Sequence, residues 1–425
     1  MVLLGAGASA EAGPLTSMAM ASEFMSWAFE GRPLAALEKD AAQLDSSQAT
    51  PGDVLYAIWR YLTDGLGRAP NVEEVALACW ATHPDSEVLS RVSPVSRLTR
   101  EFQGVNPSHI EIIELDLVSR LKEKWLLVDR AKVDYLSSLI KLRSLFPSER
   151  LKIFTLNYDL SVEVVCERLG IPWTDGFRNG ALSLNCVPVF ADAGTDLHAE
   201  APMQALVWKA ERPESDPQVE IFKLHGSASW FEQFSDITWT NDLYEIYRSV
   251  RAAAGGTLYS ARNPCGPLVK LEAASDQVLW QSDAWLKKNH VYFPRIIFGT
   301  AFKFLPAVPF VRMYELLYRY LRRSRVCVVV GYSFQDSHVN ALLKDAFNRH
   351  LPLGQQGLNV VIVDCLERKD IKHEIGLDDE TRVFQVVGPA SEALAAERFM
   401  QLINDLSLRG SSKLPHVIRL CEIGD

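Results

Sequence analysis

The stretch VCVVVGYSFQDSHVNALLKDAF, residues 326–347, decides the fold class. Val326 to Val330 is a continuous apolar run closed by Gly331. Val339, Leu342, Leu343, Ala346 and Phe347 then recur at helical spacing. Upstream, Met313, Leu316, Leu317, Tyr320 and Leu321 fit i, i+3, i+4, i+7, i+8, so a helix precedes the strand. Downstream, Leu358 to Val363 is a second apolar run that ends in Asp364. A strand with one face in water alternates apolar and polar residues, whereas one buried on both faces does not. Helix, strand, helix, strand with wholly apolar strands therefore predicts a parallel sheet covered by helices, an α/β fold.

Three shorter runs extend the pattern towards the N-terminus. Met1 to Leu4 is broken by Gly5-Ala6-Gly7-Ala8-Ser9, and Met18 to Gly31 reads as a helix. KIFTL at 152–156 is followed by Asn157-Tyr158-Asp159, and Leu160 to Leu169 has helical spacing. Ile221 to Leu224 ends in His225-Gly226-Ser227. Polar or glycine residues thus follow each candidate strand. In an open parallel sheet, ligands bind outside the carboxyl ends of the strands, so these groups are expected to share one crevice. The sheet is accordingly read as Rossmann-like. One domain is expected over residues 1–410, with a helical insertion at about 17–146, a mixed insertion at about 175–300 and a tail at 411–425.

Composition excludes several classes. Apolar residues are 48% and charged residues 23% of the 425, which fits a globular rather than a disordered chain. A net charge of -9 argues against a protein that coats nucleic acid, and no direct nucleic-acid binding is expected. The seven cysteines include no C-x-x-C pair and are odd in number, against a zinc ribbon or a secreted disulfide framework. No apolar run reaches membrane-spanning length and no signal-peptide pattern opens the chain, so a cytoplasmic protein is expected.

Each strand end has a bland reading beside the functional one. Gly5, Ala6, Gly7 and Ser9 form a tight turn, or the cradle of a pyrophosphate that backbone atoms must approach closely. Asn157 and Asp159 are ordinary turn and cap residues, or Asn157 meets a ribose hydroxyl or an attacking water while Asp159 orients it or helps to bind the dinucleotide. His225 is a structural histidine, or a proton acceptor with room beside its ring. Gly331 and Ser333 turn the chain or contact adenosine. Asp364 caps a helix or binds a ribose hydroxyl. No H-E-x-x-H pair suggests a metal.

The set GAGASAEAG at 5–13, TLNYD at 155–159, KLHGS at 223–227 and VVGYSFQD at 329–336 resembles, in that order, the bacterial sirtuin-like NADase domains of antiphage defence systems. The resemblance implies cleavage of the nicotinamide–ribose bond of NAD⁺, with Asn157 and His225 as the catalytic pair and no metal. It implies Gly5, Ala6, Gly7 and Ser9 on the pyrophosphate side, and Gly331 and Ser333 on the adenosine side. It also implies a homo-oligomer working with a partner such as a HerA-type ATPase or an Argonaute-type protein. Three departures separate this chain from sirtuin deacylases, one being the large helical block in the insertion region. The paired C-x-x-C zinc module is absent, and Pro14-Leu15-Thr16 replaces an acidic-aromatic-basic run after the Gly-rich turn. An NAD-dependent deacylase or ADP-ribosyltransferase, and a non-catalytic NAD⁺ or ADP-ribose sensor, are the alternative readings.

Overall fold

The computed structural model describes residues 1–28, 50–82, 107–129, 131–147, 149–190, 198–208, 218–232, 269–273, 293–296, 310–349, 357–368, 371, 375–377, 379–408 and 417–419. The chain forms two compact units. One comprises Met1–Pro14, Val128–Ile296 and Phe304–Asp425, the other Leu15–Leu127 and Ile297–Lys303.

In chain order the elements are β1 (Val2–Leu4), α1 (Ser17–Ala28), α2 (Pro51–Leu66), α3 (Val72–Thr82), α4 (Pro107–Arg120), α5 (Ser137–Lys141), β2 (Leu151–Thr155) and α6 (Ser161–Arg168). Next come β3 (Trp173–Thr174), β4 (Phe177–Phe190), β5 (His198–Trp208), β6 (Val219–Lys223), β7 (Gly226–Glu232), β8 (Val269–Ala273) and β9 (Phe293–Ile296). The last third carries α7 (Phe310–Leu321), β10 (Val326–Val330), α8 (Ser337–Asn348), β11 (Asn359–Asp364), β12 (Val383–Val387), α9 (Ala390–Ala395), α10 (Glu397–Leu408) and β13 (Val417–Arg419).

Eight strands form one parallel sheet in the order β13-β12-β11-β10-β1-β2-β6-β3. With its flanking helices this is the expected α/β, Rossmann-like architecture. All five residues of β10 and the first five of β11 are buried, which is why neither strand carries a polar alternation. Val328, Val330, Val361, Val363, Phe384 and Val386 share one apolar cluster with Phe399, Leu402, Ile403 and Leu406 of α10. Within the stretch read as a mixed insertion, β6 joins the main sheet. The remaining strands there form a three-stranded antiparallel sheet, β4-β5-β8, and the pair β7-β9. Val417–Arg419, in the stretch read as a tail, is an edge strand beside β12.

The second unit is helical where described. Helix α2 shows why the chain turns helical there. Thr50 Oγ1 accepts from the Asp53 amide, and the Asp53 carboxylate accepts from the Thr50 amide at 2.7 Å. Pro51 starts the first turn, and Gly67 ends the helix at φ 66°. Trp125, in a π-helical turn over Leu121–Trp125, packs edge-on to Phe24 at 5.9 Å. Residues 128–146, read from sequence as part of the helical block, group with the sheet unit.

Candidate functional site

Register places the strand ends side by side. Leu4 pairs with Thr155 and with Val330, Thr155 with Lys223, and Val330 with Val363. The residues that follow β1, β2, β6 and β10 therefore leave the sheet at one end, beside Asp364, the last residue of β11. β1 lies between β2 on one side and β10 on the other, so the strand order reverses there. That reversal is where an open α/β sheet leaves a crevice for a ligand.

At this point two chain segments touch backbone to backbone. The Gly5 amide donates to Val330 O and the Gly7 amide to Gly331 O, both at 2.9 Å. A Cβ on Gly5 would lie 2.5 Å from Tyr332 Cα, and one on Gly7 would lie 3.0 Å from Gly331 Cα. The glycines thus supply close approach. The amides of Ala8 and Ser9 donate to Gly5 O and Ala6 O within two short 3-10 turns, Ala6–Ala8 and Ala10–Ala12. No regular helix follows the turn directly, and α1 begins only at Ser17. Tyr135 Oη donates to Ala8 O at 2.5 Å and holds the turn in place.

Asn157 is buried at the end of β2, and its amide orientation is set by its partners. Nδ2 donates to Gly5 O and to Ser9 Oγ, each at 2.9 Å. A carbonyl oxygen only accepts, so the nitrogen must face it. The acceptor Oδ1 is left buried with no hydrogen-bond partner among the described residues.

His225 follows β6, the strand next to β2, and is 3% exposed. Its Nε2 lies 2.9 Å from Asp336 Oδ2. Its Nδ1 is buried and has no hydrogen-bond partner among the described residues. Thr155 and Lys223 are paired at the ends of neighbouring strands, and Asn157 and His225 each come two residues after them. Tyr158 flanks the imidazole at 6.3 Å between ring centroids.

Asp336 was missed as a site residue. In sequence it signals only a helix cap, and it does cap α8, Oδ1 accepting from the His338 and Val339 amides. The loop it closes is over-determined. Tyr332 Oη donates to Asn340 Oδ1 at 2.8 Å and to Asp336 O at 3.1 Å, and Asn340 Nδ2 donates to Phe334 O at 2.6 Å. Phe334 is held at φ 58°, a conformation a bulky side chain rarely takes. Tyr332→Phe is expected to cost about 1–2 kcal/mol by leaving Asn340 Oδ1 under-partnered, read as a shifted urea midpoint with an unchanged slope.

The remaining sequence candidates divide. Asp159 is buried, and its Oδ1 accepts from the Ser161 amide at 2.9 Å, a local turn role. Beneath it the buried Lys223 donates to Asp159 O and pairs with Glu163 at 3.0 Å. Ser333 is exposed, two residues after the partly exposed Gly331. Asp364 is occupied by Arg368, whose Nε lies 2.8 Å from Oδ2 and whose guanidinium stacks over Phe334 at 5.3 Å. Among the described residues no group of His, Cys, Asp and Glu is arranged to hold a metal, and no helix is long and apolar enough to cross a membrane.

Fold and site together define an α/β protein with a closely packed glycine turn, a buried amide oxygen and a buried imidazole nitrogen at a sheet's switch point. The chain matches no family model and no curated protein. Among solved structures, a Sir2 enzyme studied for mechanism and regulation aligns over 95% of this chain and 91% of its own, at 14% identity and TM-score 0.35. Sir2Af2 bound to a myristoylated histone peptide aligns over 95% and 89%, at 11% identity and TM-score 0.27.

Proposed function

We propose that this protein hydrolyses the nicotinamide–ribose bond of NAD⁺, with Asn157 and His225 acting on the ribose and the attacking water. The observation that carries the reading is a pair of buried polar atoms, Asn157 Oδ1 and His225 Nδ1, which have no hydrogen-bond partner among the described residues and follow the ends of adjacent strands. Burying such atoms costs free energy unless a ligand donates to them. A ribose diol or a water molecule is such a donor, and an anionic phosphate is not. The pyrophosphate is assigned to the turn of Gly5, Ala6, Gly7 and Ser9, and adenosine to the side of Gly331, Ser333 and Asp364.

The chemistry balances without a general acid. The C1′–N bond breaks with its electron pair going to the pyridinium nitrogen, so nicotinamide leaves neutral and the ribose becomes oxocarbenium-like. Water adds to C1′ and gives up a proton, which His225 accepts and passes to solvent; the products are nicotinamide, ADP-ribose and H⁺. Asn157 Oδ1 holds a hydroxyl or the water in line, a contribution of position rather than of charge. The order of the four sequence motifs supports the wider reading. In it, the activity depletes NAD⁺ in the cytoplasm during antiphage defence, switched on by oligomerisation or by a HerA-type or Argonaute-type partner.

Purified protein incubated with NAD⁺, with and without candidate activators, tests this by nicotinamide release. His225→Ala and Asn157→Ala are each expected to lower turnover by about 10²–10⁴-fold while NAD⁺ still binds. Turnover equal to that of the wild type in both variants would overturn the assignment.

A further inference from the structure

We infer that Asp336 is a positioning residue that holds His225 in the Nε2–H tautomer, and so makes Nδ1 the proton-accepting atom. The inference rests on the hydrolytic reading above for its kinetic consequence, but its structural content stands on geometry alone. A carboxylate only accepts hydrogen bonds, so at 2.9 Å from Asp336 Oδ2 the Nε2 atom must carry the proton. In a neutral imidazole the lone pair then lies on Nδ1, the buried atom with no hydrogen-bond partner among the described residues. The carboxylate cannot swing away from this task. Its other oxygen accepts from the amides of His338 at 3.0 Å and Val339 at 3.2 Å, at the start of α8. Tyr332 donates to the backbone oxygen of the same residue. One aspartate thus caps a helix with Oδ1 and orients the histidine with Oδ2, joining the start of α8 to the segment after β6.

The double use makes a single substitution informative. In Asp336→Asn the amide oxygen must face the two backbone N–H groups, because an –NH₂ group would find no acceptor there. The –NH₂ group is then forced towards His225 and donates to Nε2. The imidazole proton has to move to Nδ1, and the accepting lone pair is lost from the substrate side. Asn and Asp cap helices about equally well, so the fold is retained. Asp336→Ala does the opposite: it removes the cap but leaves both tautomers open to His225.

The test uses the full chain labelled with ¹⁵N-histidine, the His225 signals being assigned by their loss in His225→Ala. Wild type is expected to show an Nε2–H tautomer and Asp336→Asn an Nδ1–H tautomer. Nicotinamide release is expected to fall by about 10²–10⁴-fold in kcat for Asp336→Asn, with KM for NAD⁺ changed by less than about 3-fold. Asp336→Ala should be less stable than Asp336→Asn and yet turn over faster. An Asn variant that keeps the Nε2–H tautomer overturns the inference, as does a turnover order that simply follows thermal stability. If wild type releases no nicotinamide under any condition, the hydrolytic reading fails, and the tautomer measurement still decides the role of Asp336.

Discussion

Lys223→Met is expected to lower the unfolding free energy by about 3–5 kcal/mol, and by more at pH 8 than at pH 5. Lys223 is 1% exposed at the end of β6, and its Nζ lies 3.0 Å from Glu163 Oε1, itself on a side chain 6% exposed. Burial pushes the Glu163 carboxyl above its ordinary value near 4.5, and the Lys223 charge is the main influence pulling it back down. Methionine keeps most of the volume but leaves a carboxylate alone in the core. The sign with pH follows from linkage. A raised folded-state value gives stability that is complete below the unfolded value and is lost as pH rises through the folded one. Without Lys223 the folded value climbs further, so the decline extends to higher pH. Urea unfolding at the two pH values measures it, and adding Glu163→Gln should restore much of the loss and flatten the slope. A Met variant as stable as wild type at pH 8 would sink the argument. Lys223 also donates to Asp159 O, so the loop carrying Asn157 is expected to loosen with it.

Gly331→Ala is expected to cost about 3–5 kcal/mol, the sum of overpacking and a left-handed backbone. Gly331 sits at φ 57°, and its Cβ would lie 2.2 Å from Ala8 N and 2.3 Å from Gly7 C. Both neighbours are backbone atoms that no rotamer change can move. Relief would require parting the Gly7 amide from Gly331 O, now 2.9 Å apart, and with it the turn that carries Ser9. Gly65→Ala is the matched control: among the described residues nothing beyond the helix itself lies within 4 Å of the added methyl, so that variant should be neutral or slightly stabilising. Thermal unfolding separates the two. A Gly331→Ala protein melting within about 2 °C of wild type would show that the contact is not tight.

The strands that were plain in sequence are those buried on both faces, whose residues are almost all apolar. VCVVV matched β10 residue for residue, and LNVVIV lay within one residue of β11. β6 was harder, since VEIFK ends in a buried lysine whose acceptability depends on Glu163 and Asp159 O. β13 was not legible, because a three-residue edge strand has too little periodicity to register. Asn157 and His225 stood out because each follows an apolar run. Asp336 did not, because in sequence a helix cap and the partner of a buried histidine look the same.

Sequence by itself determined the local alternation of strand and helix, the placement of glycine where chains must touch, and the residue types at each strand end. Those properties depend on neighbours a few positions away, through burial and backbone freedom. Only the tertiary structure decided which strand ends meet. His225 reaches Asp336 across 111 positions, and Asn157 reaches Gly5 across 152. Such contacts follow from β1 lying between β2 and β10 and from the register of the sheet, which no periodicity within a single segment encodes.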